Sequence, residues 1–117
     1  MPAENLKQGR HVTLFYFGGF MEIRIVEVRL LPYNGKSILA FADVQFGDIV
    51  IRDFRIVKEE GKRPHVKLPY QTYKGQTGEL RFRATVVLPD EMRGEVDLAI
   101  LNAYQREKEK KNERISR

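Results

Sequence analysis

Ile38-Leu39-Ala40-Phe41-Ala42-Asp43-Val44-Gln45-Phe46 runs through Gly47-Asp48 into Ile49-Val50-Ile51-Arg52-Asp53-Phe54-Arg55-Ile56-Val57. Two apolar runs of equal length meet at a two-residue turn, which is the spacing of a tight antiparallel hairpin. The two-residue period of a strand puts Ile49 and Ile51 on one face and Val50, Phe54 and Ile56 on the other. Both faces are therefore apolar. The rest of the chain offers one helix to cover one of them, so the other is expected to need a second molecule. Val50, Phe54 and Ile56 are the expected dimer interface.

Working outward, residues 23–31 read as a strand rich in β-branched side chains, with Arg24, Glu27 and Arg29 interspersed. Ile25-Val26 breaks its alternation, which predicts a bulge. Pro32-Tyr33-Asn34-Gly35-Lys36 is a turn, because Asn-Gly tolerates positive φ. After the hairpin, Lys58-Glu59-Glu60-Gly61-Lys62 makes a charged turn and residues 64–68 a short strand. Residues 69–78 read as a polar loop. Leu80, Phe82, Ala84, Val86 and Leu88 then alternate with Glu79, Arg81, Arg83, Thr85 and Val87, predicting a strand with Leu80 facing the core and Arg81 and Arg83 facing solvent or a ligand.

Pro89-Asp90 ends that strand and opens a helix, with acidic residues in the first turn as the helix dipole favours. Met92, Val96, Ala99, Ile100, Ala103 and Tyr104 recur at the spacing of one helical face. Gly94 weakens the first turn. Past Tyr104 the stripe stops; residues 105–117 are a basic tail expected to fray, with Glu107 and Lys111 as one helical pair. The predicted fold is α+β: an antiparallel sheet of four to five strands followed by a C-terminal helix, in one domain over residues 21–104. Residues 1–20 have two readings. Either residues 12–17 add an edge strand, or Met21 is the biological start, since Gly-Gly-Phe-Met is what a purine-rich ribosome-binding site would encode in frame.

The chain has 117 residues, enough for one core with little to spare. Cysteine is absent, which excludes disulfides and thiolate metal sites and suits a reducing cytoplasm. No apolar stretch approaches the roughly 20 residues of a membrane helix, and residues 12–17 are too short for a secretory signal. The net charge is +5, unevenly spread. Residues 52–83 carry nine basic against four acidic residues, residues 106–117 six against three, and residues 90–97 one against four. Concentrated positive charge suits a polyanionic partner.

Catalysis finds little support. The two histidines, His11 and His65, stand apart, and metal sites need several convergent ligands. Ser37 and Ser116 have no acid-base partner close in sequence. Lys74-Gly75-Gln76-Thr77-Gly78 lacks the Gly-Lys-Ser/Thr ending of a phosphate loop. No enzyme activity, cofactor, metal or small-molecule substrate is expected. Nucleic-acid binding rests on firmer physics: Arg81 and Arg83 project from one strand face roughly 7 Å apart, and Lys62, Arg63, Lys67 and Lys74 adjoin them. Tyr70 and Tyr73 offer rings for stacking on unpaired bases. The plainer reading of Arg81 and Arg83 is that they keep a sheet soluble and blunt its edges. Arg55 beside Asp53 is expected to form an intrachain or dimer ion pair.

Four stretches together resemble the SpoVG family (stage V sporulation protein G, the septation regulators of bacteria). Met21-Glu22-Ile23 through Val28-Arg29 is similar to its opening strand. Phe46, followed by Ile49-Val50-Ile51-Arg52-Asp53-Phe54-Arg55-Ile56-Val57, is similar to its central strand pair. Val66-Lys67-Leu68-Pro69 with Gly78-Glu79-Leu80 is similar to its apolar-Met-Pro turn and Gly-Glu-aromatic step, and residues 96–104 to its closing helix. The resemblance implies a homodimer that binds DNA or RNA with sequence preference and regulates gene expression linked to cell division or sporulation; with cysteine absent, a cytoplasmic protein is expected. It departs at Tyr70-Gln71-Thr72-Tyr73-Lys74, where the family has Ser, two basic residues and Thr-Pro, and at Val87-Leu88-Pro89, where it has His-Pro-Ile. The alternative is a non-catalytic interaction module for an acidic protein partner.

Overall fold

The computed structural model describes residues 11–16, 19–32 and 37–116, with side chains described over 21–32 and 37–113. The Asn34-Gly35 turn lies outside the described residues. The architecture is α+β. Strands β1 (His11–Tyr16), β2 (Gly19–Leu30), β3 (Ile38–Phe46), β4 (Ile49–Val57) and β5 (His65–Lys67) form one antiparallel sheet in chain order. Strands β6 (Tyr70–Lys74) and β7 (Leu80–Ala84) pair only with each other, and helix α1 spans Asp90–Ser116. Residues 11–16 form an edge strand: β1 pairs with β2 from His11↔Arg24 to Tyr16↔Gly19, and Met21 lies inside β2.

The β3–β4 hairpin turns at Gly47-Asp48 as expected, with Phe46 opposite Ile49. Gly47 takes φ 58 and Asp48 does not take positive φ, the requirement of a two-residue turn with glycine first. The predicted break in β2 is there too, as a register shift between Ile25 and Glu27.

The facing of β4 differs from a simple two-residue period. Val44 pairs with Ile51 but Ala42 pairs with Phe54, so β4 carries an extra residue between them. That residue is accommodated where Asp53 adopts φ 68, a left-handed conformation to which Asp is better suited than most residues. The bulge reverses the phase, and Phe54 and Ile56 join Ile49 and Ile51 on the helix side. Both are 0 % exposed within a single chain. The expectation that they form a dimer interface is therefore corrected; the chain's own helix covers them. Val50, on the opposite face across from Gln45, is 46 % exposed.

One core results. Ile23, Ile25, Ala40, Ala42, Val44, Phe46, Phe54, Ile56 and Val66 from the sheet meet Met92, Val96, Ala99, Ile100, Ala103 and Tyr104 from α1. The helix starts at Asp90 with Pro89 as cap: the Met92 and Arg93 amides donate to the Pro89 carbonyl at 3.0 and 3.1 Å. Arg93 then ties helix to sheet. Its Nε donates to both carboxylate oxygens of Asp97 at 3.0 Å, and its Nη2 donates to the Val66 carbonyl at 2.9 Å. The tail does not fray within the described residues: α1 runs to Ser116, about 40 Å at 1.5 Å per residue. Straight-chain Glu, Lys and Arg favour helix without an apolar stripe, and the pair formed is Glu107–Lys110 at 4.0 Å.

The sheet face turned away from α1 carries an ion-pair cluster beside Phe41 and Val50. Arg29 sits at its centre, donating to both oxygens of Asp43 at 2.6 and 3.0 Å, to Glu27 at 2.6 Å and to Asp53 at 2.7 Å. Asp43, 2 % exposed, also accepts from the Asp53 amide at 3.1 Å. Around Asp43 the second face of the hairpin thus carries ion pairs, while Val50 on the same face stays exposed. No helix among the described residues is long and apolar enough to cross a membrane.

Candidate nucleic-acid interface

Residues 70–84 form a projecting ribbon. The segment read as a polar loop is strand β6, and every residue of β7 is exposed. Leu80 and Phe82 are 62 % and 61 % exposed, so the expectation that Leu80's face is core is corrected. Alternation in β7 is genuine, but its apolar side meets no layer. Three residues, Gln76, Thr77 and Gly78, turn the ribbon. The Gly75 amide donates to the Glu79 carbonyl at 2.8 Å, and Gly78 takes φ 86, matching the three-residue hairpin loop closed by a left-handed glycine. At the root, the Thr85 amide donates to the Pro69 carbonyl at 3.0 Å.

Cross-strand register sorts the side chains. Tyr73 faces Arg81 and Gln71 faces Arg83, so these four share one face. Tyr70, Thr72, Lys74, Leu80, Phe82 and Ala84 share the other. The first face is aromatic and cationic. Arg83 has no carboxylate partner among the described residues, whereas Arg81 Nε donates to Glu79 at 3.0 Å. Glu79 also accepts from the Thr77 amide at 3.1 Å and from the Thr77 hydroxyl. The hydroxyl contributes most to holding its carboxyl below the usual range, with the Arg81 contact adding to it. This carboxylate lies in the shallow depression lined by Tyr73, Lys74, Thr77 and Arg81. Half of the cationic pair is thereby neutralised in the free protein.

The second face continues into the sheet. Arg55 does not pair with the Asp53 carboxylate as expected; that carboxylate is held by Arg29. Its guanidinium lies 3.8 Å over the Tyr70 ring and 5.7 Å from the Phe41 ring. Tyr70 in turn meets Phe82 edge-on at 5.2 Å and 75°. Tyr70 is thus engaged within the chain, and Phe82, read from sequence as core, is the open ring on this face. Lys67 lies opposite Arg55 in the register, beside the ribbon root.

The expected site residues accordingly fall into three places. Tyr73, Arg81 and Arg83 come together on one ribbon face. Lys74 and Tyr70 lie on the other, with Lys67 at its base. Lys62 and Arg63 sit on the exposed β4–β5 turn, where Lys62 pairs with Glu59 at 3.0 Å. Arg55 and Phe82 are the residues that sequence reading missed. The polar character of residues 70–74 beside an alternating β7 is the signal for a ribbon buried on neither side. Among the described residues no group of three His, Cys, Asp or Glu is placed to hold a metal. No protein-family model matches the chain, and no curated protein or solved structure matches it either.

Proposed function

We propose that the protein is a nucleic-acid-binding regulator acting as a homodimer in the cytoplasm, without catalysis or cofactor. The observation that carries this reading is the shared placement of Tyr73, Arg81 and Arg83 on one face of a ribbon that stands clear of the core. Such a face combines phosphate neutralisation with a ring for stacking. Lys67 near the root and the basic end of α1 add further positive charge. Regulation of division or sporulation, and the homodimer, rest on the resemblance to the SpoVG family; Ile49 and Val50, exposed at the hairpin tip, are apolar residues that would support self-association.

Binding to random-sequence DNA and RNA across a salt series tests the proposal. Affinity is expected to fall steeply with salt, and replacing Arg81 and Arg83 together by Ala is expected to flatten the log–log slope by about two units. An unchanged slope returns both arginines to the role of keeping the ribbon soluble. The second reading, a module for an acidic protein partner, draws on the exposed Leu80 and Phe82. Failure to bind any nucleic acid at low salt would favour it.

A further inference from the structure

We propose that Phe82 is a base-stacking seat, so that the ligand of the ribbon is single-stranded nucleic acid; this rests on the nucleic-acid reading above. The seat is prepared in advance. Arg55 clamps one face of Tyr70 at 3.8 Å, and Tyr70 holds Phe82 edge-on at 5.2 Å, yet Phe82 remains 61 % exposed. A ring fixed in this way loses little conformational freedom when a base settles on it.

The surrounding charge suits the backbone of a strand. Lys74 shares the ribbon face with Phe82 towards the tip, and Lys67 lies beside Arg55 at the root. The nearby carboxylate, Glu79, is drawn to Arg81, which belongs to the opposite face. Among the described ribbon residues this face therefore carries cation and aromatic surface without acid.

Two other occupants fit less well. Bases in a duplex are already stacked on one another and present no free π-face, which leaves an exposed Phe and Leu without partners. A second copy packed face to face about a two-fold axis would bring Lys74 of each ribbon towards Lys74, or towards Lys67 and Arg55, of the other, and like charges oppose either contact. An unpaired base flanked by phosphates satisfies ring and cations together.

The full chain is titrated with fluorescent oligo-dT, oligo-U, an abasic strand of equal length and a mixed-sequence duplex, at one salt concentration. Single strands are expected to bind at least tenfold tighter than duplex. Phe82→Leu keeps the apolar bulk but removes the π-face, and is expected to weaken single-strand binding about tenfold with the salt slope unchanged. On the abasic strand the variant and the parent are expected to bind alike. Equal affinity for duplex and single strand, or an unaffected Phe82→Leu, overturns the seat while leaving nucleic-acid binding intact. Absence of binding to every probe overturns the reading beneath it as well. A Phe82→Leu variant that sediments differently but binds single strands as before would assign this face to a second copy and overturn the proposal.

Discussion

At Asp43 burial and charge pull in opposite directions. Burial alone would push its carboxyl up; the paired bonds from Arg29, the Asp53 amide and the nearby Arg52 pull it down, and the net position is below the ordinary carboxylate value. A carboxyl lowered in the folded state stabilises above its unfolded pKa, and that contribution is lost as pH falls through the folded value. Asp43→Asn is therefore expected to cost about 3 kcal/mol at pH 7, because it leaves Arg29 and the bulge amide poorly satisfied. Urea midpoints measured at pH 7 and again near pH 3 should show the gap between variant and parent narrowing. Persistence of the full gap in acid would mean that neutral hydrogen bonding, not charge, holds the bulge. Asp97 works with the other sign: burial raises its carboxyl despite the Arg93 contact, so its protonation favours the fold as pH falls and partly offsets the loss at Asp43.

Among the elements, helix α1 joins a well-formed start to one weak position. Gly94 has no positive φ, and a Cβ there would meet nothing within 4 Å. Gly94→Ala is expected to stabilise by about 1 kcal/mol, read as a rise of about 4 °C in thermal midpoint. The elements also show what residues alone could convey. The β3–β4 hairpin, the break in β2 and the helix stripe were legible because glycine placement and apolar period act locally. The phase reversal at Asp53 was not, since Arg52-Asp53 looks like any polar step in a strand and only long-range pairing with β3 forces the extra residue. Likewise Leu80 and Phe82 alternate as core residues do, and sequence period cannot reveal whether a layer lies opposite. Arg81 and Arg83 share a face by the same period that misplaces Leu80, whereas Tyr73, read in a polar loop, joins them only through the pairing of β6 with β7.

For the molecule as a whole, basic surface is divided between the ribbon and the far end of α1, and the core depends on neither. Beyond Tyr104 the described side chains of α1 are exposed or only half-buried, with Lys108 resting 5.4 Å over the Tyr104 ring. Removing residues 105–117 takes away six basic and three acidic residues. It is expected to lower nucleic-acid affinity alike for all sequences while costing about 1 kcal/mol of stability, because the described side chains removed are exposed or half-buried and the loss falls on the Lys108 cover of the Tyr104 ring. Calorimetry together with binding to two unrelated sequences checks both parts, and a large drop in unfolding temperature would contradict them. The ribbon is separable in a stronger sense. Its ends meet at the Thr85–Pro69 bond, with Arg55 over the Tyr70 ring as a tie to the sheet, so the segment between them is a cassette set on a finished framework. Shortening, lengthening or transplanting it would alter what the surface grips without reopening the hydrophobic interior, and substitutions could accumulate there under pressures the remainder of the chain never feels.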